Sequence, residues 1–125
     1  MPRSSQTYHL SRPPVIVGYG SAGGRKEKEG PLGRFFDHTC EDDTFQQSSW
    51  EMAETTMQQM ALESALKRAK LEAQQLDFLL AGDLLNQCIS SAFAARWAGV
   101  PYLGLYGACS TMGESLALAS LLLAP

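Results

Sequence analysis

Pro101-Tyr-Leu-Gly-Leu-Tyr106 runs directly into Gly107-Ala-Cys-Ser-Thr-Met-Gly113 and then into the Ala-, Leu- and Ser-rich tail that ends at Leu123. The first block, aromatic and apolar behind a proline, reads as a strand. The glycine-bounded second block is a tight corner, and Ser110 to Leu123 reads as a helix. A strand that turns sharply into a helix is half of a crossover unit, and the rest of the chain holds its counterparts. Leu76 to Ala81 is a second strand, ended by Gly82. After a loop at Asp83 to Gln87, the small and aromatic residues from Ile89 to Ala98 form a helix stopped at Gly99. Farther upstream, Ser48-Ser-Trp-Glu51 has capping-box spacing, with Ser48 as the N-cap. Ala53, Met57, Met60, Ala61, Ser64 and Ala65 then recur at helical spacing, and Lys67, Arg68 and Lys70 suit the negative end of the dipole. A helix from about Ser49 to Leu71 follows, with its methionine stripe in the core. Val15-Ile16-Val17-Gly18-Tyr19, behind Pro13-Pro14, reads as a first, buried strand.

The order strand, helix, strand, helix, strand, helix predicts an α/β fold with three mostly parallel strands and right-handed crossovers. Residues 1–14 form an N-terminal arm and residues 15–125 the domain. The last helix is apolar on most of its circumference, which predicts burial on all sides. Nothing follows to cover it, so the expectation is an incomplete domain, the front part of a larger one.

Between the first strand and the long helix, residues 20–47 carry many glycines and a charged cluster, Arg25-Lys-Glu-Lys-Glu29, and read as a long loop. Gly18-Tyr-Gly20-Ser-Ala-Gly23 matches G-x-G-x-x-G literally. A dinucleotide site needs a helix to open at those glycines, and Gly23-Gly24 followed by Gly30-Pro31 forbids a long one. No cofactor is expected.

Charge narrows the function classes. Of 125 residues, 10 are basic and 13 acidic, for a net charge of −3. Bulk-charge nucleic-acid binding is a poor fit, since it requires several phosphates to be neutralised. The charges are unevenly spread, with six basic and two acidic residues from Arg3 to Arg34. From Asp37 to Glu63 there are seven acidic residues and no Lys or Arg. The apolar tail falls far short of the ~20 residues that span a bilayer. The opening Met-Pro-Arg-Ser-Ser-Gln lacks the apolar core of a secretory signal. Three cysteines without Cys-x-x-Cys spacing argue against a disulfide framework and for a reducing compartment. A soluble, intracellular chain is the expectation.

Two places carry candidate chemistry. His38 and Cys40 sit beside Glu41, Asp42 and Asp43, but no second ligand pair closes a tetrahedral metal site. Cys109 lies at the strand-to-helix corner, where unpaired backbone N–H groups and the helix dipole favour a thiolate. The same groups suit a carboxylate or a developing oxyanion, and Ser110 and Thr111 offer further donors. A catalytic cysteine also needs a base, and neither His9 nor His38 has a position that places it near Cys109. Asp83, Asn86 and Gln87 occupy the loop at the carboxyl end of the second strand, the edge where ligands of parallel sheets usually bind.

With that corner identified, the chain resembles the thiolase-like superfamily, and more narrowly the stage V sporulation protein AD family. The resemblance rests on Lys28-Glu-Gly-Pro-Leu-Gly33 with Phe36-Asp37, and on Ser49-Trp-Glu-Met-Ala-Glu54. It continues through Asp77-Phe-Leu-Leu-Ala-Gly-Asp-Leu-Leu-Asn-Gln87 to Gly107-Ala-Cys-Ser-Thr111. It implies the N-terminal part of a layered α-β-α-β-α fold, built from two similar halves. It implies binding of dipicolinic acid for uptake into the spore, with membrane proteins of the same operon and at the spore inner membrane. Cys109 matches the superfamily's nucleophile position, and the ligand-binding residues implied are Cys109, Ser110 and Asn86. The alternative is an acyltransferase with Cys109 as the acyl-accepting nucleophile; the superfamily's catalytic histidines lie in the C-terminal half. A homodimer is a further expectation, because thiolase-like proteins pair.

Overall fold

A computed structural model describes residues 7–124. The first six residues of the expected arm lie outside the described residues, as does Pro125. The described chain is α/β, with four helices and four short strands. In order these are β1 (Ala22–Gly23), α1 (Arg25–Glu29), β2 (His38–Thr39), α2 (Trp50–Ala69), β3 (Leu79–Ala81), α3 (Ile89–Ala98), β4 (Tyr102–Gly104) and α4 (Thr111–Leu123).

α2 begins one residue later than the capping-box spacing suggests. Ser49, not Ser48, is the N-cap, and its Oγ accepts a hydrogen bond from the Met52 N–H at 3.2 Å. At the other end Lys70 takes a left-handed conformation, φ 57°, and the Leu71 N–H reaches back to Leu66 O at 3.0 Å. That wrap satisfies carbonyls that the helix would otherwise leave open. α3 ends in the same manner at Gly99, φ 69°, as its sequence predicts.

The core lies where α2 meets α3, and it is made of small residues. Ala53 and Thr55 of α2 are buried, facing Ser90, Ser91, Ala94, Ala95 and Ala98 of α3. Short side chains let the two backbones approach until a hydroxyl bridges them. Thr55 Oγ1 lies 3.2 Å from Ser90 O and 2.8 Å from its own helix's Glu51 O. Met57, Met60, Ala61 and Ala65 are only half-buried, so of the stripe expected in the core Ala53 alone is fully buried.

The sheet departs from the expected three strands. β1 pairs parallel with β2, and β3 pairs parallel with β4, in two separate two-stranded sheets. Val15 to Tyr19 is not a strand. It finds no ladder partner, and Val15, Ile16, Val17 and Tyr19 are 64–79% exposed. Its neighbour is a helix. A Cβ at Gly18 would lie 2.2 Å from Ala65 O, and one at Gly20 would lie 1.9 Å from Ala61 O. The glycines that mimic a nucleotide fingerprint therefore let this segment press onto α2. The expected loop from Gly20 to Gln47 holds β1, the five-residue α1, a 3-10 turn at Gly33–Phe35, and β2. The second correction concerns α4: no residue in it is buried, although its sequence predicts burial all round. Within the described chain the chief neighbour of α4 is β3.

Candidate functional site

The corner after β4 is built by two glycines. The sheet register runs on past β4, since the Leu105 N–H donates to Ala81 O at 2.9 Å. A Cβ at Gly82 would sit 2.0 Å from Leu105 O and 3.0 Å from Thr111 Cγ2, so only glycine allows the two strand ends to close. At Gly107 a Cβ would meet Ser110 Oγ at 2.5 Å and Glu114 Oε2 at 2.7 Å. Ala108 then takes a left-handed conformation, φ 46°, and opens a 3-10 turn, Ala108–Ser110, that feeds α4. For a residue with a Cβ this conformation costs roughly 1–2 kcal/mol, and such strain gathers at functional turns. The result is to hold Cys109 at the outer edge of the corner, exposed and unpaired with any other cysteine.

Ser110 occupies the N-cap position of α4 but does not cap it; its Oγ instead donates to Gly107 O at 2.7 Å. The 3-10 turn ahead of α4 takes the Ser110 N–H to Gly107 O at 2.9 Å and the Thr111 N–H to Ala108 O, and no side chain caps the first turn, so an outside anion would meet the positive end of the helix dipole there. Thr111 Oγ1 is buried with no partner at the same spot. Glu114, in the first turn of α4, brings a negative charge against Gly107. The sequence reading missed both Glu114 and the left-handed Ala108. A strand–Gly–Ala–Cys corner whose cysteine lies five residues ahead of a glutamate is the signal that could have found the first.

The loop after β3 divides its roles. Asp83 is buried, and its carboxylate accepts from the Ser90 and Ser91 N–H groups at 2.6 and 2.8 Å. It thus caps α3 from within. Asn86 is exposed, and its carbonyl accepts the Ile89 N–H at 2.9 Å, closing the turn into α3. Among the described residues no hydrogen bond joins Asn86 to Cys109 or Ser110. Cys88, at the N-cap of α3, donates its thiol to Leu105 O at 3.2 Å and so ties this loop to the Cys109 corner. Beneath it Tyr102 Oη lies 2.6 Å from Ser91 Oγ. Burial is the main force raising the Tyr102 phenol above its ordinary value, with Ser91 opposing and Cys88 adding to the rise.

The histidines lie elsewhere. His38, on β2, bonds Ser64 Oγ of α2 through Nε2 at 2.8 Å, and His9 is exposed before the first strand. Neither is hydrogen-bonded to Cys109. The corner as described can receive an anion at a helix end beside an exposed thiol.

Residues 4–125 match the profile of the family described as Stage V sporulation protein AD. The chain is 44% identical over 117 residues to stage V sporulation protein AD of Bacillus subtilis (strain 168). That alignment covers 94% of this chain and 35% of the relative, so the chain spans about a third of the relative's length. With a match over nearly its whole length, the chain belongs to the stage V sporulation protein AD family.

Proposed function

We propose that this chain is the front part of a thiolase-like fold and binds dipicolinic acid at the Cys109 corner during sporulation. The observation that carries the reading is the uncapped first turn of α4, presented beside an exposed Cys109 by a glycine-built turn. Dipicolinate carries two carboxylates on an aromatic ring. One suits the positive end of the α4 dipole, with Ser110 and Cys109 at its edge, and Asn86 would contribute from the β3–α3 loop. Delivery into the spore would engage the membrane proteins of the same operon at the inner membrane. Among the described residues no helix is long and apolar enough to cross a membrane.

The test is a thermal melt of the chain with and without dipicolinic acid. At about 100 times the dissociation constant the ligand should add roughly 2.7 kcal/mol of stability. Cys109→Ala should keep most of that shift. A cooperative transition that does not move at saturating ligand would sink the reading.

The exposed thiol on a strained turn favours a second reading, acyl transfer. There the Cys109 thiolate attacks a thioester carbonyl, a new thioester forms, and the coenzyme thiol leaves. Mass spectrometry after incubation with acyl-CoA distinguishes the two. An adduct of one acyl group on Cys109 supports transfer; an unmodified chain that still binds dipicolinate rules it out.

A further inference from the structure

A second concavity, of about 570 Å³, opens away from the corner, where the segment carrying Gly20 crosses α2 near the β3–α3 loop. None of its lining residues belongs to the Cys109 turn. Trp50, Met57, Leu84 and Leu85 form apolar walls, and Glu54 and Asp43 supply the charge. Glu54 is half committed. Its Oε1 accepts the Leu84 N–H at 2.9 Å, tying the loop to α2, while Oε2 is buried with no donor. A buried carboxylate oxygen without a partner costs free energy that a cationic donor would recover. Its own segment offers none, since Asp37 to Glu63 holds seven acidic residues and no Lys or Arg. The Trp50 face beside it adds a second attraction for a cation.

The walls say what carries that cation. Trp50, Leu84 and Leu85 remain 54–67% exposed. A small free amine would leave them wet, whereas a polypeptide with apolar residues on either side of a basic one would cover them. We infer that this cleft docks a partner polypeptide that inserts an arginine, flanked by apolar residues, against Glu54.

The test uses Trp50 fluorescence in a Trp97→Phe background, which leaves one indole of the two in the chain. The titrants are acetyl-Leu-Arg-Leu-amide, the same peptide with neutral citrulline in place of arginine, and agmatine. A charge-assisted bond to a buried oxygen predicts that the arginine peptide binds about tenfold or more tighter than the citrulline peptide. It should also bind tighter than agmatine. Glu54→Gln keeps an acceptor for Leu84 and should erase the arginine preference, with the circular dichroism unchanged. If that variant does not fold, the comparison of the two peptides on the parent chain decides alone. Equal binding of both peptides, or agmatine matching the arginine peptide, overturns the assignment.

Discussion

Arg68 reaches from the last turn of α2 to Asp37, bonding its carboxylate through both guanidinium nitrogens. It also donates to Tyr19 O at 2.7 Å and stacks over the Tyr19 ring at 4.2 Å. One side chain thus fastens the segment before β1 and the segment before β2 to the same helix. The Arg68 hydrogen bonds, then those from Ser21, hold the Asp37 carboxyl well below its ordinary value near 3.8. A carboxyl depressed in the folded state stabilises the fold above its unfolded pKa, and that contribution fades as pH falls toward the folded one. Asp37→Asn should therefore be less stable than the parent at neutral pH. The gap should hold down to about pH 4 and narrow below it, as urea unfolding across pH would record. A gap unchanged between about pH 4 and pH 2 would show that the carboxylate charge contributes nothing. Glu114 gives a prediction of two signs. Its charge favours the positive end of α4 but opposes an anionic ligand there. Glu114→Gln should lower stability by about 0.3–1 kcal/mol and tighten dipicolinate binding by about twofold to fivefold. Calorimetric titration and a melt read the two effects separately.

At the scale of elements, glycines decide more than apolar runs do. Gly18 and Gly20 each allow backbone contact with α2 that a methyl group would block. Gly20→Ala should destabilise by about 1–3 kcal/mol, as overpacking does. Gly113, inside α4, has nothing within 4 Å of a built Cβ. Gly113→Ala should stabilise by about 0.5–1 kcal/mol, since alanine is the better helix former. Chemical denaturation of the two variants should move in opposite directions, and a shared direction would refute the close-approach account. The same contrast explains what was legible beforehand. α2 and α3 could be read because caps and helical spacing are local, and Gly99 marks the end of α3 by itself. The corner between β4 and α4 is legible for the same reason, down to Cys109 at the turn, while β3 and β4 hold as strands because each runs alongside the other. Val15 to Tyr19 was misread because a strand exists only where a partner strand lies alongside, and no local pattern reports that. Asp83 was placed at a ligand edge, yet its carboxylate is turned inward to α3, a choice that depends on where the Ser90 and Ser91 N–H groups arrive.

For the whole molecule the telling quantity is surface. The chain exposes 9202 Å². A compact monomer of its size would show about 6,600 Å². The excess, about 2,600 Å², is comparable to the area buried in obligate interfaces. Much of it is apolar and concentrated. Leu116, Leu121, Leu122 and Leu123 of α4 are 48–67% exposed. A cleft of about 300 Å³ between β3 and α4 is walled by Phe78, Leu80, Leu122 and Leu123. Beyond the edge of β4 and along Val15 to Val17, further apolar side chains face solvent. Apolar patches of this extent drive association in water. Sedimentation velocity of the chain should show weight-average mass rising with concentration. Leu116→Glu together with Leu123→Glu should lower that association while shifting stability by no more than about 0.5 kcal/mol, because both side chains are already wet. A chain that stays monomeric at every concentration would mean that this face has no affinity for itself. A double variant that loses its cooperative transition would mean that α4 depends on those leucines internally, contrary to their exposure.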